Sequence, residues 1–374
     1  MINPNKEKIW LSPPSMTGAE IGYVNQAFET NWIAPVGPNI EGFEQDLCEY
    51  TGAKYAVALS SGTAAIHLAL VVLGVKPGDD VICSSFTFAG SAFPISYLGA
   101  QPVFVDSEEE TWNMDPELLV HAIKDRKKLG KKISAIILVH LYGMPAKLNE
   151  IISIAQENDI PIIEDAAEAL GGNYAGGKLG TFGDIGILSF NGNKIITTSG
   201  GGAILTDKKE YAERIKFLST QARDKAIHYE HSEIGYNYRM SNVCAGIGRG
   251  QMINLDNFVI KRRNTFEVYK AHLSKLGIKF PGEPGPNFAN RWLTTIILES
   301  PGIRDKIMDS LALDNIESRP LWKPLHLQPV YSSSPFYGTT LSAGLFENGL
   351  CLPSGSSLTE GEQSKIIDQI IKNL

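Results

Sequence analysis

The feature that most constrains this chain is an alternation. Short apolar runs at residues 55–59, 81–83, 103–105, 135–139, 160–163, 185–189 and 202–205 follow one another. Stretches with helical spacing, such as 64–73, 116–127 and 148–158, separate most of them. A run that is apolar at nearly every position suits a strand covered on both faces, and a helix between two strands returns the second parallel to the first. The pattern predicts an α/β domain with a mostly parallel central sheet. Upstream, Thr17-x-x-Glu20 reads as a capping box opening a helix towards Phe28. Ile40, Phe43, Leu47 and Tyr50 mark one face of a second helix that stops at Gly52.

The alternation ends near Asn254. A charged helix through Lys261, Arg262 and Arg263 follows, then a Gly/Pro-rich turn at 281–286, a strand over 292–298, a helix near 304–313 and an amphipathic helix over 360–374. The chain therefore divides into a large domain, 15–254, and a smaller C-terminal α/β domain, 255–374, against which residues 1–14 pack. Its 374 residues suffice for both cores.

Composition excludes several classes. A net charge of -7 gives no footprint for nucleic acid. Residues 1–10 lack the apolar core of a signal peptide, and no apolar run reaches membrane-spanning length. Cys48, Cys83, Cys244 and Cys351 form no CxxC pair, and the histidines do not cluster as metal ligands, so no metal is expected. The expectation is a soluble cytoplasmic protein without membrane or nucleic-acid partners.

Three short segments carry chemistry. Ser60-Ser61-Gly62-Thr63-Ala64 ends a strand and opens a helix, where small residues let backbone N–H groups meet an anion; the same residues equally suit an ordinary helix cap. Glu164-Asp165 and Glu168 stand at the C-terminal end of another predicted strand, the place where open α/β sheets bind ligands; Asp165 could hold a protonated ring nitrogen or simply favour a helix N-terminus. Lys194 follows Ser189-Phe190-Asn191-Gly192-Asn193, 29 positions after Asp165. A single lysine is most often a solvated charge; past a strand end, among small polar residues, it also suits a Schiff-base amine.

Taken together, Ser61-Gly62-Thr63-Ala64, Glu164-Asp165-Ala166-Ala167-Glu168, Gly183-Asp184-Ile185-Gly186 and Ser189 to Lys194 resemble the DegT/DnrJ/StrS family of nucleotide-sugar aminotransferases, of the aspartate-aminotransferase (fold type I) architecture. The resemblance spans essentially the whole chain. It implies pyridoxal 5'-phosphate as cofactor, with Lys194 as its covalent attachment and proton carrier and Asp165 against its pyridinium nitrogen. It further implies Gly62, Thr63 and Ser189 at the phosphate, Phe88 stacked on the ring, Glu168 near the ring hydroxyl, and Asn242 reaching the phosphate of a neighbouring subunit in a homodimer with shared active sites. Relatives that remove a hydroxyl carry histidine at the lysine position, so Lys194 implies transamination.

The resemblance also implies L-glutamate as amino donor and a nucleotide-linked keto sugar as acceptor, aminated at C4 of a 4-keto-6-deoxy sugar. Segments 191–202 and 318–326 look most like enzymes of the UDP-linked N-acetylglucosamine series. The GDP-perosamine synthase type is a near neighbour and C3 amination a more distant one. Arg239, Arg319, Lys323 and His326 are the candidate contacts to diphosphate or sugar. Two other classes fit the residues less well. Gly246-Ile247-Gly248-Arg249-Gly250 lacks the spacing and preceding strand of a dinucleotide loop. A non-catalytic binding module of the same fold is opposed by the presence of Lys194, Asp165, Glu168 and Ser189 together.

Overall fold

The computed structural model describes residues 7–374, and the apolar runs form the middle of one sheet. Its strands are β1 (Tyr55–Leu59), β2 (Asp80–Ser84), β3 (Gln101–Val105), β4 (Ile133–Val139), β5 (Ile162–Asp165), β6 (Ile185–Ser189) and β7 (Gly202–Thr206). The order across the sheet is β1-β7-β6-β5-β4-β2-β3, with the short strand Phe336–Tyr337 beside β3. All pairs are parallel except those of β7 with β1 and β6.

Successive strand residues point to opposite faces, so each strand feeds two cores. In β4, Ile136 and Leu138 join one cluster with Phe43, Leu47 and Ile162. Ala135, Ile137 and Val139 join the other with Leu68, Ile163 and Ile187. The first cluster is completed by the helix Pro38–Thr51, closed by Gly52 in the left-handed conformation, and the second by the helix Gly62–Val72.

A third core, of Tyr269, Leu273, Ile296, Ile307, Leu350 and Ile366 among others, belongs to the small sheet built from Thr294–Ile297, Gly349–Leu352 and Arg319–Pro320. Ile9 pairs with Ile316 and sits in this core; residues 1–6 of the predicted N-terminal segment lie outside the described residues. The helix Leu255–Leu273 serves two cores, with Phe258 and Val259 in the first cluster and Tyr269 and Leu273 in the third. Residues after 325 also return to the large sheet: Leu325 and Tyr331 lie in its second cluster and Phe336–Tyr337 extends its edge.

Several local expectations need correction. The helix Ala19–Glu29 starts from Gly18, so Thr17-x-x-Glu20 supplies only the return half of a capping box: the Glu20 carboxylate accepts the N–H groups of Thr17 and Gly18. The complete box is at Thr359 and Glu362. The strand predicted at 160–163 is β5, two residues later, which takes Glu164 and Asp165 into the sheet. Gly246, Gly248 and Gly250 lie inside the helix Asn242–Met252, where an added Cβ would come within 2.8 Å of Asn39, 2.8 Å of Phe43 and 2.5 Å of Glu20. They are places where helices touch. Among the described residues no helix is long and apolar enough to cross a membrane, and no group of three or more His, Cys, Asp or Glu could hold a metal.

Candidate active site

The C-terminal ends of β5 and β6, the start of the helix Gly62–Val72 and residues from the small domain enclose a cavity of about 520 Å³. Strand periodicity aims its floor. Asp165 follows Ile163 on one face of β5, Ser189 follows Ile187 on the same face of β6, and Asp165 pairs in register with Ile187. Glu164 faces the other way.

These neighbouring carboxylates meet opposite environments. Glu164 accepts from His140 (2.8 Å), Gly180 N–H (2.6 Å), Phe182 N–H (2.7 Å) and Gly183 N–H (3.0 Å). Burial pushes its pKa up, but His140 and these amides outweigh burial and hold it below the usual value. Asp165 accepts only from the Ser91 hydroxyl (2.7 Å) and Ala167 N–H (3.1 Å). Burial wins there and its pKa is raised, although Ser91, Ala167 and the Lys194 charge oppose it. A cation placed beside Asp165 would be strongly favoured.

Lys194 hangs from a turn after β6, its N–H bonded to Asn191 O (2.9 Å). Its Nζ is 3.4 Å from Glu168 Oε1 and 4.1 Å from the centre of the Trp292 ring. Glu168 is buried, and desolvation lifts it to about 7 against the pull of Lys194 and the N–H of Tyr142 at 2.6 Å. Tyr142 holds that N–H in place with a left-handed backbone (φ 52°) and accepts Trp322 N–H on its hydroxyl.

At the other end of the cavity, Ser61 caps the helix by accepting Ala64 N–H (3.0 Å). The N–H groups of Gly62 and Thr63, in the first turn, have no partner within the helix. Gly202 lets this turn approach β7: a Cβ there would lie 2.4 Å from Gly62 N. The result is an anion cradle at a helix N-terminus, with Ser189 beside it.

Of the residues expected from sequence, Lys194, Asp165, Glu168, Gly62, Thr63, Ser189, Phe88 and Arg319 all line this cavity. Phe88 is 58% exposed, with its ring 5.6 Å from that of Trp322. Arg319 is held by Glu317 (2.8 Å) at the rim.

Four do not line it. Asn242 is fully buried, and its side chain accepts Asn39 N–H (2.8 Å) and donates to Trp32 O (2.9 Å). Within one chain it fastens the loop before the helix Pro38–Thr51. Arg239 makes a buried ion pair with Glu44 and donates to Ala58 O. His326 bonds Ser85 (2.7 Å) and stacks on Phe336 at 3.7 Å, stapling the returning segment to β2; burial lowers its pKa, with Asp106 opposing. Lys323 is exposed and outside the lining.

Sequence reading missed Ser91, Trp292, Trp322 and Ser12. Trp292 opens an apolar run, and pattern alone counts it as core. Ser91 and Ser12 carry no local signal.

The profile of the DegT/DnrJ/EryC1/StrS aminotransferase family matches residues 14–371. The chain is 50% identical to EpsN of Bacillus subtilis (strain 168), provisionally assigned as a pyridoxal phosphate-dependent aminotransferase, over 98% of this chain and 95% of that one. It is 38% identical to the GDP-perosamine synthase of Escherichia coli O157:H7, over 96% of each. The structure superposes with a TM-score of 0.90 on the PLP-form of Spr1654 from Streptococcus pneumoniae, provisionally a sugar aminotransferase, at 28% identity over 98% of this chain and 100% of that one.

Proposed function

The chain belongs to the DegT/DnrJ/EryC1/StrS aminotransferase family, and from that premise we propose that it moves the amino group of L-glutamate to C4 of a nucleotide-linked 4-keto-6-deoxy sugar. It is a sugar aminotransferase of fold type I that uses pyridoxal phosphate. The observation that carries the reading is the convergence of the Lys194 amine, the buried carboxylates of Asp165 and Glu168 and the N-terminus of the helix Gly62–Val72 on one cavity.

These residues fit the cofactor. Asp165 is a buried acid whose pKa burial raises, and the first-turn N–H groups of the helix Gly62–Val72 have no partner within the helix. Gly62, Thr63 and Ser189 would hold the phosphate, Asp165 the ring nitrogen, Phe88 a ring face and Lys194 the aldehyde carbon. When bound, the group supplies an electron-poor ring that takes up the electrons of a C–H bond broken next to the amine nitrogen.

The chain's own residues do the rest. Asp165, buried and shielded from water, would hold a proton on the ring nitrogen of the bound group. Lys194 Nζ takes a proton from one carbon and returns it to another within its reach, acting as base and then as acid. Glu168, with a pKa of about 7 and Oε1 at 3.4 Å from Nζ, exchanges protons with that amine near neutral pH. Trp292 and Trp322 wall the cavity against water.

The resemblance of segments 191–202 and 318–326 to enzymes of the UDP-linked N-acetylglucosamine series supports UDP-4-keto-6-deoxy-N-acetylglucosamine as the acceptor. A GDP-linked 4-keto sugar is the second reading, favoured by the 38% identical relative named for GDP-perosamine. Arg319 at the rim would meet the diphosphate in either case. A homodimer is part of the proposal, supported by the exposed Ile21, Phe28, Trp32, Ile33 and Val36 on the first helix and the loop after it. Four free cysteines support a cytoplasmic setting. The test is incubation of the holoenzyme with glutamate and UDP-, GDP- and dTDP-linked 4-keto sugars, with mass detection. One nucleotide class gains the amine; amination of none of them overturns the proposal.

A further inference from the structure

Arg262 lies in the middle of the helix Leu255–Leu273 and is almost wholly buried, yet among the described residues no carboxylate pairs with it. Its Nη1 donates to Trp292 O (2.5 Å), its Nη2 donates to Ser12 Oγ (3.1 Å), and its Nε has no partner. A buried cation without a counter-charge is costly, and burial alone lowers its pKa to about 9. Such a group calls for a role.

Both of its partners converge on one atom. Ser12 Oγ donates to Asn193 O at 2.7 Å, and Trp292 Nε1 donates to the same oxygen at 2.7 Å. That carbonyl belongs to the peptide leading into Lys194. The Trp292 ring also lies under the Lys194 amine. Arg262 thus ties three separate stretches of chain to the lysine turn: the N-terminal segment, the entry to the small sheet and its own helix. Accepting from a cation polarises the Ser12 hydroxyl and strengthens its donation to Asn193 O. The guanidinium fork suits the task because its two Nη atoms reach in fixed, different directions, which an ammonium cannot reproduce.

We infer that Arg262 is a positioning residue for Lys194, acting through Ser12 and Trp292 to fix the Asn193–Lys194 peptide and the ring beneath the amine. The inference rests on Lys194 being the reactive amine, but its structural half can be read without turnover. Hydrogen exchange of the cofactor-free protein is followed at the Lys194 amide and, as a control, in β4, alongside steady-state kinetics of the holoenzyme. In Arg262→Met the Lys194 amide exchanges about tenfold faster while β4 is unchanged, and kcat falls about tenfold or more with little change in KM. Arg262→Lys restores part of both. Ser12→Ala, which removes a single hydroxyl, gives a smaller shift of the same sign, and it decides the matter if Arg262→Met does not fold. Unchanged exchange at Lys194 in Ser12→Ala, or exchange that rises equally in β4 in Arg262→Met, overturns the inference. Faster exchange with undiminished kcat overturns the catalytic half. Failure of every sugar to react, with exchange altered as stated, would instead count against the proposed substrate.

Discussion

The floor of the cavity and the segment 318–326 both contain residues that the sequence marks for function, and they fare differently. At the floor, Asp165, Glu168, Ser189, Lys194, Gly62 and Thr63 all face one space. Of Arg319, Lys323 and His326 in the segment, only Arg319 does; His326 is a staple between Ser85 and Phe336, and Lys323 lies outside the lining. Strand ends and helix starts have their directions set by the sheet, so a polar residue there is aimed by local geometry. An irregular segment has no such rule, and its polar residues go wherever tertiary packing offers partners.

The hardest test of this contrast is Lys194→Ala. Loss of the amine beside Glu168 Oε1 should cut turnover by about 10³-fold or more while the thermal transition stays in place. Activity surviving in that variant would remove the chemistry from the floor.

Glu168→Gln is next. In the cofactor-free protein Glu168 has a pKa of about 7, above its ordinary 4.5. Its folded form holds the proton more tightly than the unfolded chain, so its contribution is fully present below about 4.5 and is lost as pH rises through 7. Between pH 5 and 8 the native sequence should lose up to about 3 kcal/mol relative to Glu168→Gln, which does not titrate. Denaturant titrations at several pH values check it, and parallel curves for the two proteins would count against the assigned environment.

His326→Ala has the smallest effect and sharpens the other side. Losing the Ser85 bond and the Phe336 stack should cost about 1–2 kcal/mol of stability. KM for the sugar should change by less than about threefold. A large rise in KM at unchanged stability would return His326 to the substrate.

The small domain shows a second limit to reading sequence. Trp292 and Arg262 look like the start of a strand and one charge among three on a helix. Their roles arise from contacts over long separations, with Ser12 bonded to Asn193 and Arg262 bonded to Ser12. Asn242 and Arg239 differ again: within one chain their side chains are spent on Asn39 and Glu44 rather than on this cavity.

By itself, the sequence determined the alternating strands and helices, the mostly parallel sheet, and the acid, amine and anion cradle at its strand ends. Period-two burial and helix-start chemistry are local, and they act wherever those residues occur. The tertiary structure alone decided which of the remaining polar side chains face the cavity and which hold the chain together. A buried polar group must find a partner, and which partner is within reach depends on segments brought together only by folding.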